Sequence, residues 1–455
     1  MQSNNLPTPI KLKNSLGPSF ILLGLALGSG ELILWPYLVS QYGLGLIWGG
    51  LLGITFQYFL NTEIMRYTLA HGESVFVGWR RWGKLVPAWF IFSTVIPWAL
   101  PGFASSSASI LNQVFPFLPV RLTAVFLLLL TGLIISSGRT LYKTMEKVQK
   151  TLLSFGVPFI FLLTLYMARG VDWINLVKGL AGYGNGWRFF PPGIALGAFL
   201  GAFAYSGGGG NLNLAQSYYI KEKGFGMGKY GSSIKSLLHG KGESIRIDGQ
   251  LFLLTAGNLG RWRAWWRLVT LEHGIVFWGV GLLTILLLGV LSASTSGGLA
   301  SSGGLNFFYT EASAIGAQTH PLIGSLFMLT GALMLFTTQL GVIESATRIS
   351  SENLLLLRHA PSEVVPSSAT FYIFLWVEII LGIIYLFAGA VEPRALLTLG
   401  AILNAAAMMI AFPLILALNL KLPRNIRPSL FRRLAMISAF LFFAYFVYQT
   451  FISAL

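Results

Sequence analysis

Two short glycine-rich stretches place polar side chains inside apolar segments of the sequence. In the first, glycines precede the acidic residue Glu31, and in the second a run of four glycines (207–210) precedes Asn211. Glycine lowers helix propensity by up to ~1 kcal/mol per residue, so the backbone there can open and present free carbonyl and N–H groups. Carboxylate, amide and carbonyl oxygens are the ligands that hard cations prefer. The residues predicted to line a binding site are Gly28, Ser29, Gly30, Glu31, Ser206, Gly207, Gly210, Asn211 and Asn213, with Glu31 and Asn211 as metal ligands.

A second set of polar residues lies farther along the chain and is predicted to form a proton relay or a gate. Glu344 precedes Arg348 by four residues, which is the spacing of a salt bridge on one helix face. Glu272 and His273 lie about one turn from Arg267, so a structural pair and a proton relay remain alternatives. The predicted relay or gate residues are Glu272, His273, Gln339, Glu344 and Asn404.

Two further acidic residues in apolar segments have structural explanations. Glu63 lies three residues before Arg66, and we expect an ion pair within one helix. Glu378 has no oppositely charged residue within helical reach, so we expect a contact between helices or burial in the protonated form.

The sequence carries no recognisable catalytic arrangement. It has no cysteine, its five histidines are scattered, and it contains neither HExxH nor GxSxG. The glycine-rich segments 224–233 and 242–250 do not match a phosphate-binding P-loop. We therefore expect no enzymatic activity, no use of ATP and no permanently bound cofactor.

Composition places these residues in a membrane protein. Of the 455 residues, 55% are hydrophobic and only 10% are charged, whereas soluble domains carry roughly 25% charged residues. Apolar runs long enough to cross a ~30 Å hydrocarbon core recur along the whole chain. The fold class is therefore an all-α integral membrane protein in a lipid bilayer, with eleven predicted spans: 16–41, 45–69, 85–113, 122–138, 151–169, 193–220, 268–292, 321–346, 370–391, 395–418 and 432–453.

The basic residues are distributed unequally between the two sides defined by these spans. Of 31 Lys and Arg residues, 26 fall on the side of the N-terminus and five on the other. The positive-inside rule then predicts a cytoplasmic N-terminus and an external C-terminus in the cytoplasmic membrane. This asymmetry explains the net charge of +16 without a nucleic-acid partner. The basic segment 221–267, with Trp262, Trp265 and Trp266, is expected to anchor at the membrane interface, with a partner site as the alternative.

The two glycine-rich stretches fall in spans 1 and 6, which are corresponding members of two groups of five spans. Broken helices at corresponding positions are typical of inverted-repeat transporters with a site at the membrane midplane. The sequence therefore predicts one transmembrane domain, with repeat one at about 16–169, repeat two at about 193–418 and an extra helix at about 432–453. Whether the protein is a monomer or a homodimer stays open.

The opening of the chain resembles the NRAMP family of divalent-metal transporters. The segments GPSFILLGLALGSGELILWPYLVSQYGLGLIW (17–48) and EIMRYTLAHGES (63–74) carry this resemblance. It implies eleven helices, a cytoplasmic N-terminus, a LeuT-like 5+5 inverted repeat and proton-coupled metal transport. The expected cargo is then a divalent cation of Mg or Mn type, moved by alternating access.

The sequence departs from this family at the metal site. The family's Asp-Pro-Gly-Asn motif falls on residues 28–31, where Gly28 replaces the Asp and Glu31 the Asn. Its Met-Pro-His motif falls near 208–210, where all three residues are glycine, and the acidic relay residue of helix 3 is missing. Selectivity for soft metals is therefore not expected. The alternative function is transport of a small organic solute whose amine would pair with Glu31.

Overall fold

The computed structural model describes residues 5–28, 30–137, 140–231, 245–296, 305–389 and 393–454. Ser29, one of the predicted site residues, lies outside them. The described chain is almost entirely helical, with a single pair of two-residue antiparallel strands, β1 (Ile245–Arg246) and β2 (Val364–Val365). The α-helices are α1 (Leu12–Ser15), α2 (Pro18–Ala26), α3 (Trp35–Tyr42), α4 (Trp48–His71), α5 (Val75–Arg80), α6 (Leu85–Trp98), α7 (Gly102–Val114), α8 (Val120–Ser137), α9 (Leu141–Met167), α10 (Gly170–Leu180), α11 (Leu196–Ala204), α12 (Gln216–Glu222), α13 (Ala256–His273), α14 (Gly281–Ser296), α15 (Leu305–Gln318), α16 (Pro321–Arg358), α17 (Ser367–Phe387), α18 (Pro393–Leu420) and α19 (Leu430–Ala454).

These helices account for the eleven predicted spans. Within the described ranges, nine helical segments are long and apolar enough to cross a membrane, and the bent pair formed by α2 and α3 makes a tenth. The short helices α11 and α12 occupy the position of span 6. Spans 1 to 11 thus correspond in order to α2–α3, α4, α6–α7, α8, α9, α11–α12, α13–α14, α16, α17, α18 and α19.

Several spans are longer than predicted because polar residues continue the helix beyond the apolar run. Span 5 begins at Leu141, ten residues before the predicted start, and span 8 continues to Arg358. Residues 340–353 of α16 are all buried, so packing against other helices supports this polar extension. The helix α15, between spans 7 and 8, was not predicted.

Spans 1 and 6 are broken at the predicted positions. In span 1, α2 ends at Ala26, a π-helical turn covers Gly30–Leu34, and the two halves are bent by 40°. In span 6, α11 ends at Ala204, and Gly209 and Gly210 have φ angles of 74° and 53° before a 3₁₀ turn leads into α12. Positive φ favours glycine, which explains why the run of glycines stands here.

Small residues allow span 2 to pack closely against both broken spans. A Cβ atom on Gly49 would lie 2.7 Å from ring atoms of Trp35 and Phe199, and one on Gly53 would lie 2.8 Å from the Ser206 hydroxyl. These two glycines therefore let span 2 approach its neighbours closely, as small residues do where membrane helices meet.

The predicted interfacial anchor in segment 221–267 is wrong for two of its three tryptophans. Trp262 and Trp265 lie on α13 and are only 3% and 1% exposed. The indole N–H of Trp265 donates to the backbone carbonyl of Pro7 at 2.8 Å. These rings pack inside the protein because α13 folds back onto the N-terminal segment.

Candidate functional site

The breaks of spans 1 and 6 lie in direct contact. A Cβ atom on Gly30 would stand 1.9 Å from the backbone carbonyl oxygen of Tyr205 in span 6. A Cβ on Gly28 would stand 2.3 Å from the Thr338 hydroxyl in α16. Any larger side chain at either position would force span 1 away from its neighbours, so glycine permits the approach of the two broken helices.

Glu31 follows this contact and is completely buried in the π-helical turn. Neither carboxylate oxygen has a hydrogen-bond partner among the described residues. A buried carboxylate without a partner is costly in a membrane protein and is typical of a functional site. No hydrogen bond joins Glu31 to Asn211 within the described ranges, so their joint role as metal ligands stays a prediction.

Asn211 is held by span 3. Its amide Nδ2 donates to the Ser93 hydroxyl at 2.8 Å and to the Thr94 hydroxyl at 3.0 Å. These two hydrogen bonds use both amide protons and orient the side chain. The Oδ1 atom is buried and has no hydrogen-bond partner in the described part of the chain.

Two further asparagines are held in the same manner. The Nδ2 of Asn213 donates to Gln57 Oε1 on span 2 at 3.1 Å and to the Gly210 carbonyl at 3.5 Å. The Nδ2 of Asn404 on span 10 donates to the Gly400 carbonyl at 2.7 Å and to the Tyr205 hydroxyl at 3.3 Å. Both Oδ1 atoms are again without partners among the residues described.

The free amide oxygens face the glycine run. Asn213 Oδ1 lies 2.9 Å from the Cβ position of Gly208, and Asn404 Oδ1 lies 2.1 Å from that of Gly210. Because the amide nitrogens are already bonded, the side chains present acceptors and no donors. Such a surface can bind a cation or the N–H groups of an organic solute.

The residues described here do not form a metal site with several charged ligands. Over the described residues, no group of three or more His, Asp or Glu side chains could hold a metal ion. A cation at the breaks would therefore meet Glu31 and neutral oxygens, which suits a hard ion.

Three of the predicted residues make close contacts with neighbouring helices. The Ser206 hydroxyl accepts from the Trp35 indole N–H at 2.8 Å and donates to the Ala202 carbonyl at 2.9 Å. Gln339 accepts from the Ala104 backbone N–H at 3.0 Å, which joins spans 8 and 3. Gly207 packs against Gln57, since a Cβ there would lie 2.4 Å from its Oε1.

The acidic residues near the side of the protein that carries most of its Lys and Arg residues form two buried networks. Glu344 pairs with Arg348 as expected, and Arg348 also binds Glu222 at the end of α12 at 2.6 Å. The Tyr219 hydroxyl donates to Glu344 at 2.7 Å. Glu272 and His273 do not pair with Arg267 but share the hydroxyl of Ser19.

The structural expectations for the other two acidic residues are met. Glu63 pairs with Arg66 at 2.7 Å and also with Arg432 of span 11 at 2.9 Å. Glu378 accepts from the Thr347 hydroxyl at 2.9 Å, which is a contact between spans 9 and 8.

Sequence reasoning missed the residues that hold the asparagines, namely Gln57, Ser93 and Thr94. Their only signal is that they are polar residues within apolar helices, and Ser and Thr are common there as local backbone acceptors and donors. Glu222 was missed because it lies just beyond the predicted end of span 6.

Together the broken spans and the buried polar centre define an integral membrane protein with a transporter-type fold. The described chain is similar to two solved mutants of the Eremococcus coleocola manganese transporter, with TM-scores of 0.69 and 0.70, 12% identity, and coverage of 98% of this chain and 89% of those chains. It is also similar to Mhp1, a nucleobase-cation-symport-1 family transporter solved with bromovinylhydantoin bound, with a TM-score of 0.56, 14% identity, and coverage of 99% and 96%. No protein-family model and no curated protein sequence matches the chain.

These similarities establish the fold. The all-α membrane architecture of LeuT type is confirmed, and so is the resemblance of that architecture to NRAMP-type transporters.

Proposed function

We propose that the protein is a secondary active transporter of a divalent metal cation of Mg or Mn type across the cytoplasmic membrane. The observation that carries this proposal is that Glu31, at the break of span 1, is buried and has no hydrogen-bond partner among the described residues. The similarity of the fold to a manganese transporter supports it.

The chemistry of the site favours a hard cation. Glu31 supplies negative charge, while Asn211, Asn213 and Asn404 offer neutral oxygens fixed by their nitrogens. No thioether or imidazole belongs to this set, so soft metals gain no preferred ligand. An ion that keeps part of its hydration shell fits such a site, as is usual for magnesium.

Alternating access follows from the connections of the two breaks. Spans 1 and 6 touch at Gly30, while the asparagines of span 6 are bonded to spans 2 and 3. Movement of the broken spans against spans 3 and 8 would open the site first to one side and then to the other. The Arg348 network joins α12 to α16 and would have to separate for one of these paths to open.

The test is uptake of Mn²⁺ or Mg²⁺ into liposomes that contain the purified protein and an encapsulated metal-sensitive dye. Glu31→Gln should abolish uptake because it removes the only carboxylate at the breaks among the described residues. Glu378→Gln is the matched control, since Glu378 is buried in span 9 and bonded to Thr347. Equal uptake by wild type and Glu31→Gln would remove Glu31 from the site.

A second candidate is transport of a small organic solute bearing an amine. The unpartnered amide oxygens could accept its N–H groups. The similarity to Mhp1 supports this alternative. Thermal stability in detergent, measured across divalent metals and small amines, separates the two: stabilisation by amines alone would contradict the metal proposal.

A further inference from the structure

A buried serine joins the first half of span 1 to span 7. The Ser19 hydroxyl lies 2.5 Å from Glu272 Oε2 and 2.7 Å from His273 Nδ1. All three side chains are completely buried. One hydroxyl can donate to a carboxylate and accept from an imidazole N–H at the same time. The three groups therefore form a continuous hydrogen-bonded unit, which we call the Ser19 cluster.

Glu272 also lies at the N-terminus of α2. Its carboxylate accepts the hydroxyl proton of Ser19, which lies in the first turn of α2. The free N–H groups of that turn and the positive end of the helix dipole favour a negative charge there. The ionised carboxylate thus attaches α2 to span 7, and its protonated form would attach α2 more weakly.

Two atoms of the Ser19 cluster are available to bind a proton. Glu272 Oε1 and His273 Nε2 are both buried and have no hydrogen-bond partner in the described part of the chain. The imidazole is stacked between Tyr58 and Phe277, with ring centroids 5.7 Å and 4.6 Å away. Because stacking fixes the ring, a proton can be taken up or released without reorganising the cluster.

Charged groups surround the cluster without pairing with it directly. Glu146 on α9 binds Lys150 at 2.6 Å and Lys223 at 2.8 Å, and both lysines also bond to the Leu16 carbonyl just before α2. Within the described ranges Glu272 makes no ion pair. Tyr142 on α9 and Lys223 act on Glu272 electrostatically, and Tyr58 on α4 stacks on His273. The neighbouring helices also carry Glu222 on α12, Lys13 on α1 and Arg267 on α13.

We propose that the Ser19 cluster is the binding site of a coupling proton, and that a proton bound there releases α2 from span 7. This proposal rests on the alternating-access transport proposed above, because α2 is the half of a broken span that must move to open one side. The proton enters the cluster while the path is closed and leaves it once α2 has moved.

The absence of cysteine allows a direct test by spin labelling. Labels at Asn14→Cys, next to α2, and at Ser362→Cys, in the loop before α17, are both at exposed positions. Distances between them should be measured in nanodiscs without metal at about pH 8 and about pH 6. We expect the population of longer distances to rise about tenfold at the lower pH.

Variants locate the effect. Glu272→Gln should show the longer distances at both pH values, and Ser19→Ala should weaken the pH response while leaving a folded protein. Glu378→Gln is the control and should respond like the parent. A response that persists in Glu272→Gln, or a parent that shows none, would overturn the proposal. Since no metal is present, a failure of metal uptake would leave this result unaffected.

Discussion

The three asparagines at the breaks each donate both amide protons to protein acceptors, which leaves their oxygens free. For Asn211 the acceptors are the hydroxyls of Ser93 and Thr94, which belong to a different span. A tethered amide loses little conformational entropy when its oxygen binds a ligand, so the site is pre-organised. At this scale, affinity depends as much on the groups that hold the amides as on the ligands themselves.

The glycine run sets the position of one of these oxygens. Gly210 has a φ of 53°, and a Cβ atom on it would lie 2.1 Å from Asn404 Oδ1. We expect Gly210→Ala to lower transport at least tenfold, because it displaces that oxygen and adds about 1–2 kcal/mol of backbone strain. Uptake into liposomes measures the first effect and thermal unfolding in detergent the second.

Gly257 provides the control for this substitution. It lies in α13 with no atom within 4 Å of its Cβ position. Gly257→Ala should retain transport and stability, since alanine favours a helix by about 1 kcal/mol over glycine. Normal transport by Gly210→Ala would show that Asn404 does not contribute to the site.

Sequence analysis located the residues at the breaks but not the way in which they are held. Glycine runs interrupting apolar segments identified Glu31, Asn211 and Asn213 because local helix propensity is visible in sequence. The tethering of Asn211 by Ser93 depends on contacts 118 residues apart, which no local pattern encodes. The hydrogen bonds of Ser206, a predicted site residue, to Trp35 and of Gln339, a predicted relay or gate residue, to Ala104 are likewise contacts between distant segments.

At the scale of elements, α16 connects the candidate site with one face of the membrane. Its 38 residues correspond to about 57 Å, nearly twice the thickness of the hydrocarbon core. Thr338 of α16 lies against Gly28 of span 1. Arg348 lies nearer the C-terminal end of the same helix and pairs with Glu344 and Glu222. The arginine is 1% exposed, so this link between α16 and α12 is shielded from solvent.

Removing that arginine should be strongly destabilising. Arg348→Met would leave two buried carboxylates without their cation, and breaking a buried ion pair costs about 3–5 kcal/mol. Thermal unfolding in detergent measures the loss. The triple variant Arg348→Met, Glu222→Gln, Glu344→Gln should recover most of it, because no uncompensated charge remains. A single variant as stable as wild type would contradict the structural role of this network.

The helix α15, outside the membrane spans, carries a carboxylate that makes stability depend on pH. Burial raises the pKa of Glu311 from its ordinary value of 4.5 to about 8. The folded protein binds this proton more tightly than the unfolded chain does, so proton binding to Glu311 stabilises the fold. This stabilisation is full below about pH 4.5 and declines as pH rises through about 8.

We therefore expect the melting temperature to fall between about pH 6 and about pH 9, and Glu311→Gln to reduce that fall, because a neutral amide cannot ionise. Scanning fluorimetry of both proteins across this range is the measurement. Glu363→Gln, at an exposed position, should keep the slope of the wild type. Identical slopes for wild type and Glu311→Gln would contradict the prediction.

For the whole molecule, the sequence predicted the architecture better than the cargo. Apolar length and charge asymmetry are properties of entire segments. An error at a single boundary, such as the start of span 5, therefore leaves the number and order of the predicted spans unchanged. Selectivity depends on a few atoms that, together with their partners, come from five different spans. The chain resembles the NRAMP family in its fold, but it lacks the family's residues at the positions that would supply those atoms.

The orientation of the molecule is the remaining prediction at this scale. With 26 of 31 basic residues on the side of the N-terminus, we expect that side to face the cytoplasm.

Because the chain has no cysteine, a single introduced cysteine reports the side of the membrane on which it lies. Asn14→Cys precedes α2 and Asn185→Cys lies between α10 and α11, and both positions are exposed. In intact cells a membrane-impermeant maleimide should label Asn185→Cys, and label Asn14→Cys only after the membrane is permeabilised. Labelling of Asn14→Cys in intact cells would reverse the orientation, and the Ser19 cluster would then face the outside.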